Sequence, residues 1–240
     1  MTIRTAVIIP TLNEAQSIGA VVSQIPRAVI HRILVADGGS TDATTDEALR
    51  AGAEVVRAGR GYGRACMAGT LAASDAEILV FMDGDGADDP NAIESLVRPI
   101  AADAKDFVIG SRVRGTAAEG SLGRHQRLAG RVLGLAMHWL YGVAYTDMCA
   151  LRAIRRHRLL ALGMTEMTYG WNVEMQIRAA RAKLRILEVP VDNRRRIGGV
   201  SKVAGSLRGT ASAGTRILGA FGRQIFSAPP RLLDDDEKHP

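Results

Sequence analysis

Asp83 and Asp85 stand one residue apart at the end of Glu77-Ile-Leu-Val-Phe-Met82, a strongly apolar, strand-like run. The carboxyl end of a buried strand is where open parallel sheets bind their ligands. Gly84 and Gly86 let the backbone curl so that both acids can face one ion. Hard oxygen ligands suit magnesium or manganese, and magnesium keeps waters and shares itself with substrate phosphates. Asp88 and Asp89, just before Pro90, read as caps of the helix that follows. A calcium loop starting at Asp83 fails, because its sixth position must be Gly and is Asp88. Gly59, Gly61 and Gly63 have the wrong spacing for a dinucleotide fingerprint, and there is no Walker A lysine motif.

Basic groups collect further along. Arg194-Arg195-Arg196 reads either as a solvated turn or as donors to phosphate. Lys202, after Gly198, Gly199 and Ser201, reads as part of a loop that closes on phosphates. Residues 1–110 carry 9 basic against 15 acidic side chains, and residues 111–240 carry 22 against 10. Such asymmetry predicts a basic surface on the second half, suited to a phosphorylated substrate or an anionic membrane, or else simply solvated. Aromatics make up only 4% of residues and are not interleaved with the basic ones, which argues against nucleic acid. Asp147 and Glu174 are candidate general bases, or equally a loop acceptor and a helix-surface acid.

These groups need a scaffold. Thr5–Ile9, Ile33–Ala36, Glu54–Val56, Glu77–Met82 and Phe107–Ile109 are short apolar runs, and helical patterns separate them. Such alternation predicts an α/β fold with a mostly parallel central sheet and helices on both faces. In the second half, helices are expected over Arg124–Tyr141 and Trp171–Ala182, and a strand over Leu184–Val191. At 240 residues, 47% hydrophobic and 23% charged, the chain can bury a full core. Cys66 and Cys149 are too far apart to suggest a zinc or redox motif. There is neither a signal-peptide pattern nor an apolar run of about 20 residues, so a cytoplasmic protein without a membrane span is expected.

The motifs, taken in order, resemble family 2 glycosyltransferases of the GT-A fold. Val7-Ile-Ile-Pro10-Thr-Leu-Asn-Glu14 is similar to the family's opening motif, and Val35-Ala-Asp37-Gly-Gly-Ser-Thr-Asp42 to its second. Asp83-Gly-Asp85 and Val108-Ile-Gly-Ser-Arg112 match two more. Glu188-Val-Pro190, followed by Arg196-Ile-Gly-Gly-Val-Ser201-Lys202, resembles the polyprenyl-phosphate sugar synthases, relatives of dolichol-phosphate mannose synthase. The resemblance implies that Pro10, Glu14, Asp37, Asp83, Gly84 and Asp85 bind a UDP- or GDP-linked sugar. It implies that Asp83 and Asp85 hold Mg2+ or Mn2+. It also implies that Arg112, Arg127, Arg196 and Lys202 surround the phosphates. Gly38 stands where the second motif carries another Asp, and Ala87 where the dolichol-type enzymes often carry Gln.

The expected reaction is an inverting hexose transfer to a polyprenyl phosphate. A lipid phosphate is already ionised and needs no base, whereas a soluble hydroxyl acceptor would need one. The alternatives are such a soluble acceptor, or a silent module that binds nucleotide sugar or an anionic membrane. The sequence leaves the sugar and the base open. One domain is expected over 1–226, with a nucleotide-binding half at 1–110, an acceptor half at 111–202 and a helical segment at 203–226. In that segment Leu207, Leu218, Phe221 and Ile225 could face a membrane surface or pack against the domain. The acidic tail, 227–240, reads as disordered.

Overall fold

The computed structural model describes residues 3–116, 134–135 and 137–197. The expected helix at 203–226, the tail at 227–240, and the first part of the helix expected from Arg124 lie outside these residues, as do Arg127 and Lys202.

Seven strands form one sheet: β1 (Thr5–Thr11), β2 (Arg32–Asp37), β3 (Glu54–Arg57), β4 (Ile78–Phe81), β5 (Phe107–Ser111), β6 (Arg152–Arg155) and β7 (Ile186–Pro190). Their order is β3-β2-β1-β4-β6-β5-β7. All pairings are parallel except the two made by β6, which runs antiparallel to both β4 and β5. This is the α/β sheet that the alternating pattern predicts, with one strand added. Nothing in the sequence pattern marks β6. It is four residues long and begins and ends in Arg, yet it lies in the middle of the sheet with Arg152 fully buried.

Every residue of β1 and β4 is buried, as strands covered on both faces must be. Helices at Ile18–Gln24, Thr44–Arg50, Tyr62–Ala72 and Ile93–Ala101 connect the strands of the first half. In the second half, the Trp171–Arg181 helix anchors itself through Trp171, which is fully buried and meets Phe81 of β4 edge-on at 6.4 Å between ring centroids.

The parallel strands β1, β2 and β4 end on the same edge of the sheet. Thr11 pairs with Asp37 across β1 and β2, and Ile8 pairs with Phe81 across β1 and β4. That register carries the turn after β4 alongside the end of β1. A side chain at Gly84 would come within 2.9 Å of Thr11 Cγ2, so the approach needs glycine.

Candidate active site

A cavity of about 620 Å³ opens over these strand ends. Pro10, Thr11 and Glu14 line it from β1 and its loop, Gly38 from the end of β2, and Asp83, Gly84 and Asp85 from the turn after β4. Arg60 and Tyr62 reach it from the glycine-rich loop. Thr168, Tyr169 and Asn172 close it from the start of the Trp171–Arg181 helix, and Arg196 closes it from the chain's basic segment.

The turn after β4 is held from several sides. The Asp83 amide donates to Asp88 Oδ2 at 3.0 Å, and the Ala87 amide to Asp85 Oδ1 at 2.9 Å. Ser17 Oγ donates to the Gly84 carbonyl at 2.7 Å. Segment 193–197 lies along the turn: Asp88 and Asn193 form an antiparallel bridge, and the amides of Arg194 and Ile197 donate to the carbonyls of Ala87 and Asp85 at 2.9 and 3.0 Å. Of the two acids read as caps, Asp89 is one, accepting from the Asn91 amide at 2.9 Å. Asp88 is not: it is buried, and its carboxylate turns inward to hold Asp83.

Packing three acids here has an electrostatic cost. Burial, and then the charges of Asp88 and Asp85, push the Asp83 carboxyl up to about 7, against a hydrogen bond from the Tyr62 hydroxyl at 3.1 Å. Burial likewise pushes Asp88 up to about 6, opposed by the Asp83 amide and by Arg112. Asp85 meets a cation, since Arg196 Nη1 lies 2.9 Å from its Oδ2. Of the three consecutive arginines, Arg196 alone lines the cavity, whereas Arg194 ties Asp89 and Gln24 together at 2.6 and 2.9 Å.

Four expected site residues are placed otherwise. Asp37 is buried, and its carboxylate accepts from the amides of Gly39 and Ser40, each at 3.0 Å, so it shapes the loop after β2 while Gly38 lines the cavity. Arg112 forks onto Asp147 with two bonds of 2.8 Å, and its amide adds a third at 2.9 Å. Neither residue lines the cavity. Burial opposes ionisation of Asp147, but the Arg112 bonds outweigh it and hold the carboxyl below the ordinary range. A carboxylate so committed is a poor proton acceptor. Glu174 is fully buried; it accepts from the Thr165 hydroxyl at 2.7 Å and the Glu166 amide at 2.6 Å, and pairs with Arg178 at 2.8 Å. It braces the loop before its own helix and is neither a surface acid nor a base facing the cavity. Arg127 and Lys202 lie outside the described residues.

Sequence reasoning missed Arg60, Tyr62, Tyr169 and Asn172. The available signal was the glycine pair around Tyr62. A Cβ at Gly61 would fall 2.5 Å from the Met167 carbonyl oxygen, and one at Gly63 2.2 Å from that of Glu166. The amides of Gly63 and Arg64 donate to the carbonyls of Thr168 and Met167 at 3.3 and 3.0 Å. The glycines rejected as a dinucleotide fingerprint thus form a backbone-to-backbone seam that joins the two halves of the cavity wall.

A doubly covered, mostly parallel sheet with paired aspartates beyond β4, facing a cavity that also holds arginines, defines a ligand site at strand ends. The profile described as "Glycosyl transferase family 2" matches residues 6–161, and the chain belongs to that family of glycosyltransferases. It is 39% identical over 212 residues to an uncharacterized glycosyltransferase of Mycobacterium tuberculosis, an alignment covering 86% of this chain and 93% of the relative. It is 31% identical over 222 residues to the undecaprenyl-phosphate mannosyltransferase of Micrococcus luteus, covering 87% and 90%. Its fold is similar to the crystal structure of glucosyl-3-phosphoglycerate synthase from M. tuberculosis in complex with Mn2+, UDP-glucose and phosphoglyceric acid. The TM-score is 0.75 at 22% identity, over 92% of this chain and 79% of that one.

Proposed function

We propose that this glycosyltransferase moves a hexose from a nucleoside-diphosphate sugar to a polyprenyl phosphate, with a divalent cation at Asp83 and Asp85. The observation that carries the reading is the turn after β4. Burial first, and then the neighbouring carboxylates, push Asp83 up to about 7, and a guanidinium already lies against Asp85. Such a donor set fits a hard divalent ion. Among the described residues no group of three or more His, Cys, Asp or Glu side chains encloses a metal by itself. The ion would therefore take its remaining ligands from donor phosphates and water. When bound, it supplies positive charge to the departing diphosphate.

The protein's own groups do the rest. Arg196 and Arg60 line the cavity and would donate to phosphate oxygens as negative charge develops there. A lipid-phosphate oxygen attacks the anomeric carbon in line, the bond to the nucleoside diphosphate breaks, and the configuration inverts. No protein base is required. The two carboxylates considered for that task, Asp147 and Glu174, are tied to Arg112 and Arg178, which favours a phosphate nucleophile over a hydroxyl. The name of the M. luteus relative points to the same acceptor class.

A lipid acceptor requires contact with a bilayer surface. Among the described residues no helix is long and apolar enough to cross a membrane. Segment 203–226 is the candidate for peripheral contact, and Arg127 and Lys202 are further candidates for holding phosphate. The direct test is transfer of radiolabelled sugar from UDP-glucose or GDP-mannose into an organic-extractable product on a short polyprenyl phosphate, with Mn2+ and with excess EDTA. Transfer that needs the phosphate and the metal is expected. Transfer only to a soluble acceptor, or undiminished transfer in EDTA, overturns the reading.

A further inference from the structure

We propose that Tyr62, Tyr169 and Asn172 form the wall that reads the transferred sugar. The inference rests on the nucleotide-sugar reading above and assigns one end of its cavity.

The cavity crosses the strand ends in the order β2, β1, β4, β6. Gly38 follows β2, Pro10 and Thr11 close β1, and Asp83 to Asp85 follow β4. The far end is held over β6 by Arg152, whose Nη1 donates to the Asn172 carbonyl at 3.0 Å. A diphosphate resting at Asp83 and Asp85 leaves two directions for the groups it joins. The anomeric carbon must meet an anionic acceptor, and Arg196, which lines the cavity and bonds Asp85, comes from the half of the chain that also supplies β6 and β7. The glycosyl group therefore points toward β6, and the nucleoside lies over β1 and β2.

The wall beside Asp83 and Asn172 has the chemistry to read a sugar. The rings of Tyr62 and Tyr169 stack with centroids 6.4 Å apart and planes 29° apart, a flat apolar wall for the C–H face of a pyranose. The Tyr62 hydroxyl donates to Asp83 and is also hydrogen-bonded to the Asn172 side chain. Among the described residues the Asn172 amide oxygen has no hydrogen-bond partner. An unpaired buried acceptor is costly unless a ligand hydroxyl satisfies it. A site with such a group discriminates strongly against sugars that lack the matching hydroxyl. The wall is also preorganised, because Tyr62 is fixed at both ends of its hydroxyl's bonds and at its backbone by the glycine seam.

The test is calorimetric titration of the full chain with UDP, GDP, UDP-glucose and GDP-mannose, each with Mn2+. Tyr169 is 37% exposed, so its replacement leaves the core intact. Tyr169→Ala and Asn172→Ala are each expected to weaken the preferred nucleotide sugar about tenfold while leaving the matching nucleoside diphosphate within about twofold. Tyr169→Phe keeps the ring face and is expected to restore sugar-nucleotide affinity. Equal weakening of nucleotide and nucleotide sugar would place the nucleoside on this wall and overturn the inference, as would no effect on either. If the unaltered chain binds none of the four, the donor reading itself falls and the subsite falls with it.

Discussion

Asp83 is half-buried just after β4 and Asp147 is buried against Arg112, which follows β5, and desolvation alone pushes both toward the neutral form. Their neighbours reverse that push in Asp147 and reinforce it in Asp83. Asp147 receives a guanidinium fork and ends below the ordinary range, while Asp83 faces two more acids and ends near 7. Glu174 belongs with Asp147, fully buried but bonded to Thr165, Glu166 and Arg178. One region spends its acids on holding loops together. The other leaves Asp83 with no ion-pair partner among the described residues, beside a cavity, and gives Asp85 one guanidinium. Structural ion pairs and binding sites can look alike in sequence, and the balance of local charge separates them.

The largest expected effect tests the charge-starved side. Asp85→Ala should lower turnover by about 10³-fold or more, because the ion that stabilises the leaving diphosphate loses a ligand. Its circular dichroism and melting profile should stay near those of the unaltered chain. Turnover within tenfold of the parent would show that this turn holds no essential charge. Arg196→Ala should follow, with kcat reduced by about 10²-fold and nucleotide affinity changed less, since its contacts strengthen as the bond breaks. A change confined to KM would make it a ground-state contact.

The satisfied side should respond in stability instead. Glu174→Ala leaves Arg178 buried beside an empty position, and breaking a buried pair costs about 3–5 kcal/mol. Urea melts would show a lowered midpoint with an unchanged slope. Glu174→Gln and Asp147→Asn should each retain activity on a short polyprenyl phosphate, per folded molecule, within about tenfold, well short of the roughly 10²–10⁴-fold loss of a true base. A larger loss in either would return that residue to the base's role and favour a hydroxyl acceptor.

The difference between the regions also explains what the sequence could show. Asp83-Gly-Asp85 was legible because a buried strand followed by acids and glycines has few other uses. The parallel frame was legible because the interiors of β1 and β2 and the whole of β4 are apolar. β6 was not: its four residues carry no periodicity, and Arg152 is buried only because the carbonyls of Cys149, Ala150 and Asn172 surround its guanidinium. The sequence left the roles of Asp147 and Glu174 open because their partners lie 35 residues away for Asp147 and on the next helical turn and preceding loop for Glu174. Sequence spacing gives residue types, whereas charge compensation depends on tertiary neighbours. Tyr62 was hidden for a related reason, since its flanking glycines serve a seam with residues 166–168, more than a hundred positions away.

The smallest effect separates the regions by the sign of their pH dependence. Asp83 and Asp88 have folded values of about 7 and 6, above the unfolded value of about 3.9, so between these limits the folded chain holds more protons than the unfolded one. Stability from these groups is complete below about pH 4 and is lost as pH rises toward 7. Asp147 is depressed, so its contribution is present at neutral pH and is lost as pH falls below the ordinary carboxylate range. In EDTA, Asp83→Asn should therefore melt higher than the parent at pH 8 by about 2–4 °C for each kcal/mol relieved, with the gap closing toward pH 4. Asp147→Asn should melt lower than the parent at pH 7, with its gap closing toward pH 3. Scanning fluorimetry of the three proteins from pH 3 to 8 reads both slopes. Differences of the same sign in both variants would mean that the two regions are electrostatically alike.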